Sequence, residues 1–93
     1  MKEEVETRTI DDVKKVIAIG KGKVFRIMLD NLNPTQVAKA VELIKDNFET
    51  EASGGINLDN IAEYAKTGVD YVSVGALIHQ AKSLDMSLKA VII

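Results

Sequence analysis

The sequence predicts an α/β fold, a partial (β/α) barrel of about four parallel βα units, and three observations lead to it. Apolar residues alternate between strand-like and helix-like spacing along the 93 residues. The predicted strands end at Glu6, Asp30, Glu51 and Val74, at near-constant intervals of about 21 to 24 residues. Units of this length join parallel strands through right-handed helical crossovers. A complete barrel needs about 250 residues, so we expect a TIM-like half-barrel or a fragment.

Strands and helices alternate along the whole chain. In order, the sequence predicts a strand over residues 5–7, a helix between Thr9 and Gly20, a strand over 24–29, a helix from Asn33 and Pro34, a strand over 48–52, a helix from Asn57 to Gly68, a strand over 71–74 and a short helix near 76–82. Thr9, Asn33 and Asn57 are residue types that cap the first turn of a helix. Four parallel strands leave two open sheet edges, which a dimer mate or further chain would have to cover.

Composition excludes several classes of protein. The net charge of −2 does not favour a nucleic-acid or anionic-membrane partner, and no apolar run approaches the ~20 residues that span a bilayer. The chain has no cysteine, which is compatible with a reducing cytoplasm. We therefore expect a soluble cytoplasmic protein. A cluster of basic residues is expected to lie on a solvated helix face and loop: Lys14, Lys15, Lys21, Lys23 and Arg26.

Glycine-rich loops follow the last two predicted strands. Ser53, Gly54 and Gly55 form one loop, and Gly75 and Ala76 form the next, at the start of the predicted short helix. Glycines let backbone N–H groups point at an anion, and a helix N-terminus adds partial positive charge. In barrel enzymes a phosphate site often forms after strands seven and eight, so these loops favour phosphate binding and the C-terminal half of a barrel. Alternatively, each glycine serves only a turn that needs positive φ.

Three carboxylates lie at the ends of successive predicted strands, at Glu6, Asp30 and Glu51. Acids beside a phosphate site favour Mg²⁺, or they can act as general acids and bases. Alternatively, they cap the following helices or pair with lysines. His79, the single histidine, follows the second glycine loop and could donate to a phosphate or a carboxylate, although it could equally be structural.

Several segments resemble one enzyme family. EVETRT, RIMLDN, TEASGGINL, TGVDYVSVGAL and SLDMSL are similar to the C-terminal part of the quinolinate phosphoribosyltransferases, and the resemblance covers nearly all 93 residues. It implies transfer of a phosphoribosyl group from 5-phosphoribosyl 1-diphosphate to quinolinate, with loss of CO₂, giving nicotinate mononucleotide for NAD synthesis. It also implies Mg²⁺ as cofactor and a homo-oligomer. On this resemblance, residues 1–93 are a single-domain C-terminal fragment that lacks the N-terminal domain and first barrel half, which grip quinolinate.

The resemblance also assigns roles to residues. It implies catalytic and metal-binding roles for Glu6 and Asp30, and a place in the same mouth for Glu51. It implies a ribose 5-phosphate site made by Ser53, Gly54, Gly55, Gly75 and Ala76, with His79 close by. The family's usual GALTHS reads GALIHQ here, so two hydroxyl groups are missing.

The resemblance favours the interpretation that this chain is a part of the enzyme that is catalytically silent alone. Two alternatives to that interpretation stay open at this point. One is a non-catalytic half-barrel that self-associates. The other is a different phosphate-binding barrel enzyme, such as a sugar-phosphate aldolase, although no Schiff-base lysine stands at a predicted strand end.

Overall fold

A computed structural model describes residues 3–83 of the chain. The last part of the SLDMSL segment, residues 84–88, lies outside the described residues. The elements alternate as the sequence predicts, except near the end of the described range: β1 (Glu3–Thr7), α1 (Ile10–Ile19), β2 (Val24–Asp30), α2 (Pro34–Ile44), β3 (Glu49–Ser53), α3 (Ile61–Ala65), β4 (Tyr71–Val74), β5 (Leu77–Gln80) and a short 3₁₀ turn (Ala81–Ser83). Within this range no helix is long and apolar enough to cross a membrane.

The five strands form a single sheet in chain order, β1-β2-β3-β4-β5. The first four strands are parallel, and β5 is antiparallel to β4. Right-handed crossovers between neighbouring parallel strands bring the intervening helices to one face of the sheet. This arrangement confirms the predicted α/β architecture of about four parallel βα units.

The hydrophobic core lies between that face of the sheet and the helices. Strand residues Ile27, Leu29 and Val72 are fully buried there, together with Val37 and Ile44 of α2. Because strand side chains alternate between faces, every second residue of β2 faces this core. Tyr64 of α3 belongs to the same cluster, and its hydroxyl donates a 2.9 Å hydrogen bond to the carbonyl oxygen of Leu32.

The first two helices begin where the capping residues predict. The Thr9 hydroxyl accepts from the backbone N–H of Asp12 at 3.0 Å. At α2, Asn33 Oδ1 accepts from the Gln36 N–H at 2.8 Å, while the Gln36 side chain accepts from the Asn33 N–H at 3.0 Å. This reciprocal capping box satisfies N–H groups that otherwise lack a partner in the first turn.

The third helix is shorter than predicted. Asn57 does not begin it; its side chain instead accepts from the N–H groups of Asp59 and Asn60, at 2.9 and 3.2 Å, and stabilises a separate turn. The Asn60 side chain ties this turn to Gly55 by donating to its carbonyl oxygen at 2.9 Å. Leu58, which a helix starting at Asn57 would include, instead lies in this turn and is 56% exposed.

The prediction of a short helix near residues 76–82 is wrong. Gly75, at φ +61°, and Ala76 make a tight hairpin turn, and Leu77–Gln80 return as strand β5. A two-residue loop with glycine at its first position suits such a hairpin. The segment forms a strand because the edge of β4 would otherwise leave its backbone N–H and C=O groups without partners, and β5 supplies those partners.

Candidate active site

The face of the sheet opposite the helices carries a polar surface. The strand register aligns Glu6, Met28, Glu51 and Tyr71 in one row across β1 to β4. In-register neighbours point to the same face, so this row of side chains shares one surface. The row nearer the strand starts contains Glu4, Arg26 and Glu49, and the row at the carboxyl ends of β2 and β3 contains Asp30 and Ser53.

Glu6 and Asp30 meet at the carboxyl ends of β1 and β2, as their places in the sequence predict. A single atom, Arg8 Nε, lies 3.2 Å from Glu6 Oε1 and 3.5 Å from Asp30 Oδ2. The Ser53 hydroxyl donates a 3.2 Å hydrogen bond to Asp30 Oδ1 from the neighbouring strand. Three successive strands therefore bring two carboxylates, a hydroxyl and a guanidinium together at the carboxyl ends of the strands.

Gly54 lets the loop after β3 lie directly against the loop after β2. A Cβ atom at this position would stand 2.8 Å from both Asp30 Oδ1 and the backbone nitrogen of Asn31. The Asn31 N–H also donates to the Ser53 carbonyl oxygen at 2.8 Å. Gly54 has φ +87° and Gly55 has φ +72°, but a Cβ on Gly55 would meet no atom within 4 Å. The close packing on Asp30 thus explains Gly54 but not Gly55.

The second glycine loop also lies at the carboxyl ends of the strands, because β3 and β4 are parallel neighbours. Gly75 and Ala76 are exposed there, in the hairpin turn. His79 does not join the carboxylates. It pairs with Val72, a fully buried core residue, so the imidazole lies on the helix-covered side of the sheet. Glu6, Asp30 and Glu51 lie on the opposite side.

Sequence reasoning missed the role of Arg26. It is not part of a solvated basic patch, because its side chain is only 18% exposed and lies among carboxylates. Its guanidinium donates to Glu49 Oε1 at 3.1 Å, to Glu51 Oε1 at 3.3 Å and to Glu4 Oε2 at 3.5 Å. It also lies over the Tyr71 ring, 4.2 Å from the centroid. The signal available in the sequence was a single arginine inside an apolar strand.

The two charged groups at the centre of this cluster have shifted pKa values. Burial opposes the charge of Arg26, but hydrogen bonds and attraction from Glu49, with further contributions from Glu4 and Glu51, outweigh it and raise the Arg26 pKa. Burial raises the pKa of Glu51, and the negative charge of Glu4 raises it further, while Arg26 only partly offsets both. Glu51 therefore holds a proton more readily than an ordinary glutamate.

The site offers few side chains that could hold a metal ion. Among residues 3–83, no group of three or more His, Cys, Asp or Glu side chains is arranged to hold one. Glu6 and Asp30 do converge on one point, now occupied by Arg8 Nε. Mg²⁺ is usually bound by one or two carboxylates together with water and substrate phosphate oxygens. The pair therefore fits an ion whose remaining ligands are water or phosphate oxygens of a ligand, rather than one enclosed by protein.

These features define a mainly parallel α/β protein, consistent with part of a barrel, with a charged site at the carboxyl ends of its parallel strands. A family model described as "Quinolinate phosphoribosyl transferase, C-terminal domain" matches residues 1–89. The chain belongs to the quinolinate phosphoribosyltransferase family, which confirms the resemblance inferred from the sequence.

Relatives and solved structures agree with this membership. The chloroplastic carboxylating nicotinate-nucleotide pyrophosphorylase of Arabidopsis thaliana is 44% identical over 98 residues, covering 92% of this chain and 28% of that protein. The probable carboxylating nicotinate-nucleotide pyrophosphorylase of Methanocaldococcus jannaschii is 42% identical, with 95% and 32% covered. The nicotinate-nucleotide pyrophosphorylase structure from Francisella tularensis matches with a TM-score of 0.70 at 35% identity, covering 83% and 28%. The chain thus spans about a third or less of the length of these proteins.

Proposed function

We propose that this chain contributes the acidic and phosphate-binding part of a quinolinate phosphoribosyltransferase site. The reaction joins the pyridine nitrogen of quinolinate to the ribose carbon of 5-phosphoribosyl 1-diphosphate, releases diphosphate, and then loses one carboxylate as CO₂. Its product is nicotinate mononucleotide, a precursor of NAD. One observation carries the proposal: Glu6, Asp30 and the Ser53–Gly54 loop come together at the carboxyl ends of β1, β2 and β3, in a chain of this family.

The two carboxylates suit the charge changes of this transfer. A ribosyl carbon that loses diphosphate develops positive charge, which nearby carboxylates stabilise. Glu6 and Asp30 would also hold Mg²⁺, which when bound offsets charge on the diphosphate. The Ser53 hydroxyl orients Asp30 by donating to one of its oxygens, while the other oxygen lies near Arg8 Nε, which also contacts Glu6.

The glycine loops would bind the 5-phosphate. Gly54 and Gly55 both have positive φ, and consecutive N–H groups in such a turn can form a concave anion site. The Gly75–Ala76 turn at the same sheet edge would supply further N–H groups. The turn does not begin a helix, so its contribution would come from individual N–H groups and not from a helix dipole. His79, on the other face, would not contact this phosphate unless β5 changed position.

Glu51 has a different part in the proposal. It lies in the same row as Glu6, but its Oε1 is held by Arg26 and its side chain is 2% exposed. We infer that Glu51 supports the site through its ion pair with Arg26, and that it contacts substrate only if this ion pair breaks. The contacts to quinolinate would come from regions of the enzyme that the relatives have beyond the matched part. We further propose a homo-oligomer and a cytoplasmic location, although several plant relatives are named for the chloroplast or mitochondrion.

Binding of 5-phosphoribosyl 1-diphosphate tests this proposal directly. The ¹⁵N-labelled chain is titrated with the ligand, with and without Mg²⁺, while the amide signals of Gly54, Gly55, Gly75 and Ala76 are followed. We expect saturable shifts at these positions that depend on Mg²⁺. In Asp30→Asn the Mg²⁺-dependent affinity should fall about tenfold or more, since even changes beside a metal ligand cost 10- to 100-fold.

A matched variant controls for loss of charge alone. Asp59→Asn makes the same change at an exposed turn residue, and it should bind as the unmodified chain does. Equal loss of affinity in both variants would contradict the assigned role of Asp30. Unmoved glycine signals at saturating ligand would contradict the phosphate site itself. We also expect no measurable conversion of quinolinate by the 93-residue chain, and turnover would show that the chain alone completes the active site.

A further inference from the structure

Arg8 occupies the point that the proposed function gives to the metal ion. It follows β1 directly, and its Nε lies within hydrogen-bonding distance of Glu6 Oε1, at 3.2 Å, and near Asp30 Oδ2, at 3.5 Å. Its side chain is 73% exposed, whereas those of Glu6 and Asp30 are 51% and 25% exposed. The guanidinium therefore reaches from solvent toward two carboxylates, of which Asp30 is the more enclosed.

The backbone of Arg8 is held while its side chain has room to move. The Arg8 N–H donates to Asp12 Oδ2 at 3.2 Å, in the first turn of α1. The guanidinium lies at the end of a long side chain whose only contacts with acids in the described range are with Glu6 and Asp30. Moving it away from the site thus needs side-chain rotation alone, without a change in the strand or the helix.

Two like charges at short range repel, and a cation between them removes most of that cost. In this chain Arg8 is the cation. A divalent ion bound by Glu6 and Asp30 would need the same oxygen atoms, so ion and guanidinium compete for one place. Arginine stays charged at any physiological pH, so the competition does not depend on titration of Arg8.

We propose that Arg8 is a built-in counter-ion of the Glu6–Asp30 pair, which holds the two carboxylates together without a divalent ion and competes with that ion for them. This inference rests on the metal-binding role given above to Glu6 and Asp30. It makes Arg8 a positioning residue that weakens binding of the free ion. The relation to the metal is antagonistic, so removal of Arg8 should strengthen ion binding rather than weaken it.

The test is a Mg²⁺ titration of the ¹⁵N-labelled chain without substrate, at constant ionic strength. Shifts of the Glu6, Asp30 and Gly54 amides report binding. We expect the apparent Kd of Arg8→Gln to be about 2- to 5-fold lower than that of the unmodified chain, the range that an exposed ion pair supplies. Arg8→Lys keeps the positive charge and should restore a Kd near the original value.

Lys15→Gln is the matched control. Lys15 is an exposed residue of α1, and its substitution removes the same charge from the chain. It should leave the Kd unchanged, because salt screens exposed charges beyond about 8 Å at physiological ionic strength. An equal gain in Lys15→Gln would show a general charge effect and overturn the proposal.

The remaining outcomes separate this inference from the function on which it rests. Equal or weaker Mg²⁺ binding in Arg8→Gln, with shifts still centred on Glu6 and Asp30, would overturn the role of Arg8 and leave the metal site intact. No shift at these amides in any of the proteins would overturn both the metal site and the counter-ion.

Discussion

Replacing Gly54 with alanine should destabilise the chain more than the same change at Gly55, because only Gly54 lies against another loop. At φ +87° an alanine costs about 1–2 kcal/mol in backbone conformation. Its Cβ would also stand 2.8 Å from Asp30 Oδ1 and from the Asn31 nitrogen, and relieving such a clash costs about 1–3 kcal/mol more. The expected loss for Gly54→Ala is therefore about 2–5 kcal/mol in the free energy of unfolding.

Gly55→Ala provides the matched comparison. Its φ of +72° carries the same backbone cost of about 1–2 kcal/mol, but the added methyl group meets no atom within 4 Å. Both substitutions restrict the unfolded chain equally, so that contribution cancels between them. The difference of about 1–3 kcal/mol measures the contact with Asp30 and Asn31 alone.

Urea unfolding at 25 °C, followed by far-ultraviolet circular dichroism, measures both values. The chain has no tryptophan and two tyrosines, so circular dichroism is a better probe than fluorescence. A domain of this size has about 5–14 kcal/mol of stability, enough to resolve the expected difference. Equal midpoints for the two variants, or a lower midpoint for Gly55→Ala, would refute the reasoning that Gly54 is required for close contact.

Four further changes test other parts of the structure. Glu51→Gln should change the pH dependence of urea unfolding: the raised pKa of Glu51 means that its protonated form stabilises the fold, and this contribution, which is lost as pH rises above the ordinary value of 4.5, is absent from the variant. Arg26→Met should cost about 3 kcal/mol at pH 7, measured by urea unfolding, and less at pH 5, where Glu51 is more protonated. Asn33→Ala should cost about 1 kcal/mol and lower Tm by about 4–8 °C in thermal unfolding. Tyr64→Phe should cost about 1 kcal/mol in urea, because the carbonyl of Leu32 loses its buried donor.

Each of these expectations has an outcome that contradicts it. Parallel pH curves for Glu51→Gln and the unmodified chain would mean that this carboxyl has an ordinary pKa in the fold. A loss in Arg26→Met that is equal at both pH values would place its cost in packing rather than in the unpaired Glu51 charge. An unchanged Tm in Asn33→Ala would mean that water replaces the cap, and an unchanged midpoint in Tyr64→Phe would mean the same for the Leu32 carbonyl.

Much of the fold was predictable because its signals are local. The Asn33–Pro34 pair and the apolar spacing after it specify the start and the buried face of α2, and the apolar run of β2 needs no partner to be recognised. The convergence of Glu6 and Asp30 also followed from sequence, since parallel strands end at one edge. Strand β5 could not be foreseen in the same way, because four residues with two apolar side chains are ambiguous until the edge of β4 is known.

The site residues that escaped prediction depend on register. The sequence places Arg26 within an apolar strand but does not say which acidic side chains stand beside it. Only the pairing of β2 with β1 and β3 brings Glu4 and Glu49 to its two sides. A shift of one residue would turn Arg26 toward the helices and leave its charge in the core. The Arg8 contact likewise depends on how the chain leaves β1, which no residue pattern specifies.

The alternation of side chains along the strands separates the demands of folding from those of binding. In β2, Ile27 and Leu29 belong to the core beneath the helices, while the alternating residues Met28 and Asp30 face the other side of the sheet. Substitutions at the second pair can therefore change what the protein binds while the core stays as it is. The same backbone could accept different ligands by changing alternate residues, with stability limiting that freedom mainly at Arg26 and Glu51.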